Sequence, residues 1–97
     1  MTDAEMLAFL KIDLKIGDLN GSVDAYDARL THLIQVAKAE IGREGITLST
    51  DSLDDANLVI MYAEFMWRKR ESGEGMPRSL RYALNNRLFA EKMRNQT

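Results

Sequence analysis

The stretch Leu58-Val-Ile-Met-Tyr-Ala-Glu-Phe-Met-Trp67 is apolar at every position but Glu64, and it gives way abruptly to Arg68-Lys-Arg70. A helix that is apolar nearly all round in a globular chain is one enclosed by its neighbours. Upstream, Ser52 supplies an N-cap, and Asp54 and Asp55 place negative charge in the first turn, where the helix dipole favours it. The basic cluster falls in the last turns, where the dipole favours positive charge, and Gly73-Glu-Gly-Met-Pro77 breaks the helix. This reading predicts a central helix over about residues 52–72.

Working outward, Thr2-Asp-Ala-Glu5 reads as a capping box, with Met6, Leu7, Leu10 and Leu14 following at helical spacing. Gly17-Asp-Leu-Asn-Gly21 ends that helix with residues that tolerate positive φ. Ser22 is read as the cap of a second helix, with the apolar stripe Val23, Tyr26, Leu30, Leu33, Ile34, Ala37 and Ile41, closed by Gly42-Arg-Glu-Gly45. Ile46-Thr-Leu-Ser49 is too short to pair as a lone strand and is read as an extended linker. Pro77 suits the first position of a last helix built on Leu80, Ala83, Leu84 and Leu88, with Phe89 and Met93 to one side. The expected fold is all-α, a small four-helix bundle in a single domain over residues 1–97.

Charge divides this domain unevenly. Residues 1–67 carry 5 Lys/Arg against 12 Asp/Glu, and residues 68–97 carry 8 against 3, so a net charge of −2 conceals segments of about −7 and about +5. Such a domain is suited to stack on copies of itself or to dock by its basic end on an acidic partner. With no cysteine, disulfides, thiolate catalysis and Cys-based zinc sites are excluded. The acidic start lacks the features of a signal peptide, and the longest apolar stretch is well short of a bilayer span, so the expectation is a soluble, unexported chain.

Few residues invite a chemical reading. Asp18, Asn20, Ser22 and Asp24 alternate as in a calcium loop, but Val23 stands where that loop requires glycine and Arg29 where it requires glutamate, which favours a capping turn. His32, the one histidine, is read as a surface residue. There is no nucleophile elbow and no phosphate-binding glycine loop, and the expectation is neither enzyme nor cofactor. Glu64 is read as pairing with Arg68 at i+4; the alternative is a buried acid with a raised pKa. Tyr62 and Trp67 are read as core, with a binding surface as the alternative. The candidate docking surface is the basic set Arg68, Lys69, Arg70, Arg78, Arg81, Arg87, Lys92 and Arg94, and the acidic candidates are Asp24, Asp27, Asp54 and Asp55.

Taken together, Leu7-Ala-Phe-Leu-Lys-Ile-Asp-Leu14, the segment Asp24 to Ile41 with its Ala37-Lys-Ala-Glu-Ile41 ending, Met61-Tyr-Ala-Glu-Phe-Met-Trp-Arg-Lys-Arg-Glu-Ser72 and Met76-Pro-Arg-Ser-Leu-Arg-Tyr-Ala-Leu84 resemble the small head-tail connector (adaptor) proteins of tailed bacteriophages and prophages. The resemblance covers almost the whole chain. It implies a structural virion protein, a subunit of the ring that docks beneath the portal after DNA packaging and joins head to tail. The implied partners are the portal protein, copies of the chain itself in a ring, and a stopper or tail-completion protein. Genomic DNA would pass through the channel without specific binding, along walls to which the acidic residues could contribute, and no membrane is involved. The implied location is the virion's head-tail interface, and the host cytoplasm before assembly. Two features depart from the family pattern: the C-terminal segment stays helix-like to its end, and the linker 42–52 is short. On this reading the basic C-terminal helix contacts portal or neighbour, and reversing the charges of Arg78, Arg81 and Arg87 abolishes docking.

The competing reading is a small helical DNA-binding regulator whose last helix enters a major groove. A pI near 5.3 and the lack of a tight helix-turn-helix glycine turn count against it. An interaction module for another partner is the third reading.

Overall fold

The computed structural model describes residues 1–14, 26–73 and 75–95. Among these lie four helices: α1 (Asp3–Asp13), α2 (Asp27–Arg43), α3 (Leu53–Ser72) and α4 (Arg78–Asn95). The expected all-α four-helix architecture is what the chain adopts. Helices α1, α2 and α3 pack on one another, α4 packs chiefly on α3, and α3 is therefore the element in contact with the other three.

The helix boundaries follow from local chemistry. The Thr2 hydroxyl accepts from the Glu5 N–H at 3.2 Å, and the Thr2 N–H donates to Glu5 Oε1 at 3.0 Å, completing the capping box. The Ser52 hydroxyl accepts from the Asp55 N–H at 3.1 Å and starts α3. Helix α3 stops at Gly73, whose φ of 70° is left-handed and favours glycine. Gly45, at φ 100°, turns the chain out of α2; a Cβ there would stand 3.4 Å from Leu88 Cδ1, so the turn also lets α4 approach closely. Two boundaries differ from the sequence expectation. Helix α2 starts at Asp27 with Tyr26 as an N-cap lacking a side-chain hydrogen bond; the caps and turn read at Gly17–Gly21 and Ser22 lie outside the described residues. Helix α4 starts at Arg78, so Pro77 stands just before it and accepts from the Arg81 N–H at 3.1 Å.

The largest fully buried side chains are Leu10 from α1, Leu30, Ile34 and Ile41 from α2, and Leu80 and Leu84 from α4, and they pack with buried Leu58, Val59, Ile60 and Ala63 of α3. Each such side chain stabilises the fold by about 1.5–3 kcal/mol. Every residue from 58 to 67 is buried or half-buried, as an enclosed pillar requires. Tyr62 lies in the core, and half-buried Trp67 meets Tyr26 edge-to-face at 5.7 Å between ring centroids. Ile46 is buried too, so the extended linker is anchored by an apolar side chain. The molecule measures 52 × 29 × 17 Å, with a radius of gyration of 14.2 Å. A compact domain of this length would have about 13 Å, so the shape is elongated.

Candidate functional site: the two faces of the last helix

Helix α4 has two chemically distinct sides. One buries Leu80, Leu84 and Glu91. At 100° per residue, Tyr82, Phe89 and Met93 fall together on the opposite side, and they are 62%, 66% and 52% exposed. Arg78 and Lys92, also exposed, flank this stripe, and neither has an ion pair among the described residues. Among the described residues, no other helix covers the stripe. Large exposed apolar groups aligned on one face and rimmed by charge mark a protein contact surface.

The inner side holds what the sequence reading missed. Arg87 Nε donates to Asp55 Oδ1 at 2.8 Å, Nη2 donates to the Thr47 carbonyl at 2.7 Å, and Nη1 donates to Glu91 Oε2 at 3.1 Å. The Ser49 N–H donates to Asp55 Oδ2 at 2.8 Å, and the Thr47 N–H donates to Glu91 Oε1 at 3.2 Å. The Arg87, Asp55 and Glu91 side chains are only 15%, 5% and 7% exposed. Burial pushes the Asp55 carboxyl up, but the Arg87 guanidinium and the Ser49 N–H outweigh it and hold it below its ordinary value. This clamp joins the linker, the start of α3 and the middle of α4.

The clamp removes two expected surface residues from the surface. Arg87 was expected to meet a portal or neighbour and Asp55 to form an acidic face, but they face inward and bind each other, each also bonding a backbone group of the linker. Arg81 is partly used as well, in a two-pronged bridge to Glu44 at 2.9 and 3.1 Å. Reversing Arg81 and Arg87 would therefore disturb the fold and cannot report on docking alone. Because the Arg81–Glu44 pair is partly exposed, Arg81→Ala is expected to cost about 1 kcal/mol in urea unfolding, and a loss above about 2 kcal/mol would show that solvent screens it less than its exposure implies.

The other charged candidates are dispersed. Arg68 reaches Glu64 at 4.0 Å and is 61% exposed, while Lys69 lies over the Phe65 ring at 5.8 Å. Arg94 is exposed and 3.9 Å from Glu91. Arg70 belongs to α3, but its side chain is outside the description, as is Asp24 altogether. Asp27 pairs with Lys11 at 2.5 Å, and Asp54 is exposed at the start of α3. The three described acidic candidates, Asp27, Asp54 and Asp55, thus have separate settings: paired with Lys11, exposed, and buried in the clamp.

Glu64 has its expected i+4 pair in Arg68, and it also has the raised pKa of the alternative reading. Its bridge to Arg68 is at the outer limit of contact, and burial together with a hydrogen bond to the Asp13 carboxyl raises its pKa to about 7. Its partner is an acid at the end of α1. His32 is exposed, and among the described residues no group of three or more His, Cys, Asp or Glu side chains is placed to hold a metal ion. No helix among them is long and apolar enough to cross a membrane.

Comparison with protein-family models, with curated proteins and with solved structures found no match for this chain.

Proposed function

We propose that this protein is a structural subunit of a head-tail connector ring, docking beneath a phage portal and joining head to tail. The observation that carries the proposal is the outward face of α4, where Tyr82, Phe89 and Met93 lie exposed beside Arg78 and Lys92. Aromatic and methionine side chains with a basic rim form the composition of a protein interface. Such a face has a use only in an assembly, and a small elongated helical domain is a suitable building unit for one. The resemblance of the chain to phage adaptors names the assembly.

The regulator reading draws less support. Arg87 is enclosed by Asp55 and Glu91 and Arg81 is engaged by Glu44, which leaves fewer cations for phosphates, and the exposed stripe of α4 is apolar where a groove-binding helix would present polar groups.

The test is co-sedimentation of the purified protein with DNA-filled, tailless capsids or portal rings from the same phage or prophage, with empty tubes and bare duplex DNA as controls. Binding at the portal vertex is expected, and Arg78→Glu with Lys92→Glu should weaken it at least about tenfold, the loss of two interfacial charge contacts. Retention on duplex DNA without portal binding would overturn the proposal in favour of the regulator.

A further inference from the structure

Helix α1 ends on a carboxyl group that meets another carboxyl group. Asp13, its last residue, is hydrogen-bonded to Glu64 of α3, whose side chain is 16% exposed. Two carboxyl groups can share a hydrogen bond only when one of them carries a proton, because two carboxylates offer acceptors and no donor. Glu64 is the one that keeps it: burial disfavours its charge most, and the Asp13 carboxylate adds to that. Asp13 is also poorly placed for a negative charge, since the last turn of a helix carries the negative end of the dipole. The proton therefore turns a repulsion between α1 and α3 into a bond.

The charges around the pair are few. Arg68, on the same helix as Glu64, reaches it at 4.0 Å and favours its ionised form. On the α4 side a cavity of about 110 Å³ holds Glu64, Arg68 and Lys69, and α4 contributes Ser79 and Leu80, neither of which titrates there. On the α2 side Asp27 is engaged by Lys11 of the same α1 turn. On the outer side Met1, Phe9, Asp13, Leu53, Asn57 and Ile60 line a groove of about 250 Å³, and the Met1 ammonium donates to the Thr50 carbonyl. The last turn of α1 is thus tied to α2 by an ion pair and to α3 by the shared proton. Apolar burial adds little beyond Leu10, because Ile12 is 70% exposed.

We propose that the Glu64–Asp13 carboxyl pair is a proton-operated latch that holds the last turn of α1 closed on α3. When the proton leaves, two carboxylates oppose each other across the α1/α3 contact. The turn from Lys11 to Leu14 then swings outward about buried Leu10, and the groove widens over Ile60. The closed turn holds the proton more tightly than the open one. Its advantage is full below the ordinary value of 4.5 and is lost as pH rises through about 7, by up to about tenfold per pH unit, and it levels off above that. The latch acts within a single chain, so its test is independent of portal docking.

The experiment is amide hydrogen exchange followed by NMR from pH 5 to 8, each rate divided by that of an unstructured peptide at the same pH. The expected result is that protection of residues 11–14 falls by up to about tenfold per pH unit between pH 5 and 7 and is insensitive to low urea, the mark of local opening. In Glu64→Gln the side-chain amide donates to Asp13 at every pH, and in Asp13→Asn the new amide donates to the Glu64 carboxylate, so protection in both should be flat across this range. The Glu64 carboxyl carbon resonance is followed in the same samples. Flat protection in the unsubstituted protein while Glu64 titrates near 7 would overturn the latch, since the turn would then tolerate the charge without moving. A fall that persists in either variant, or that grows with urea as global unfolding does, would overturn it as well. Titration of Glu64 near 4.5 would remove the proton on which it depends.

Discussion

Arg87→Ala is expected to lower the unfolding free energy by about 3–5 kcal/mol, the range for removing one partner of a buried, hydrogen-bonded charge pair. The loss would exceed that of the Arg81–Glu44 bridge severalfold because Arg87 is 15% exposed and Arg81 43%. What remains after the substitution is the cause: Asp55 and Glu91 stay buried without their cation, and the Thr47 carbonyl loses its donor. Small domains have about 5–15 kcal/mol in total, so the variant should be at the edge of folding. Urea unfolding at neutral pH measures it. Asp55→Ala should act alike, and the double variant should cost much less than the sum, since the second removal takes away a charge already stranded. A loss below about 1 kcal/mol for Arg87→Ala would mean that water reaches and satisfies the clamp. The acid side of the pH profile carries the same signature. Asp55 is held below its ordinary value, so its contribution is present above that value and fades as pH falls through the folded one; Arg87→Ala should flatten that limb.

Glu64→Gln is expected to stabilise the protein above neutral pH by up to about 3 kcal/mol, the linkage equivalent of a carboxyl raised from 4.5 to about 7. The folded state holds this proton more tightly than the unfolded chain. Stability is therefore fully present below the unfolded value of 4.5 and falls as pH rises through about 7, with Asp13 opposing ionisation and Arg68 assisting it. Combined with the opposite limb from Asp55, this places the stability maximum on the acid side of neutral, near pH 5. Thermal unfolding across pH 4 to 9 is the measurement. Glu64→Gln should raise the midpoint at pH 8 and remove most of the slope between pH 5 and 7, with about 4–8 °C for each kcal/mol in a domain of this size. An unchanged slope would mean that Glu64 ionises normally and that the distant Arg68 is sufficient.

These two residues mark where reading the chain reached its limit. Arg87 looks in sequence like any other cation on a basic helix, and its i,i+4 partner Glu91 was visible, but Asp55 lies thirty-two positions away and also reads well as a helix-start acid. It is in fact both, since Asp55 sits in the first turn of α3 and completes the clamp. Glu64 stands in the same position: Arg68 is four residues downstream, while the burial that chiefly raises its pKa, and the Asp13 carboxyl that adds to it, come from the packing of α1 against α3. The outer stripe of α4 was only partly legible, because Phe89 and Met93 fall off the apolar stripe of that helix, but whether another helix covers them is not a property of the helix itself.

What the residues determined alone was local and periodic: the capping box at Thr2 and Glu5, the cap at Ser52, the stops at Gly45 and Gly73, and the stripe that makes α3 the enclosed helix. Each rests on backbone groups within a few positions or on burial repeating every turn, and both are written in neighbouring letters. Tertiary structure alone decided which charges face outward. A surface bridge and a buried clamp use the same residue types, and they differ in how much water the surrounding helices exclude. Arg87 and Arg78 are alike in sequence, but α3 and the linker close over the first and leave the second exposed.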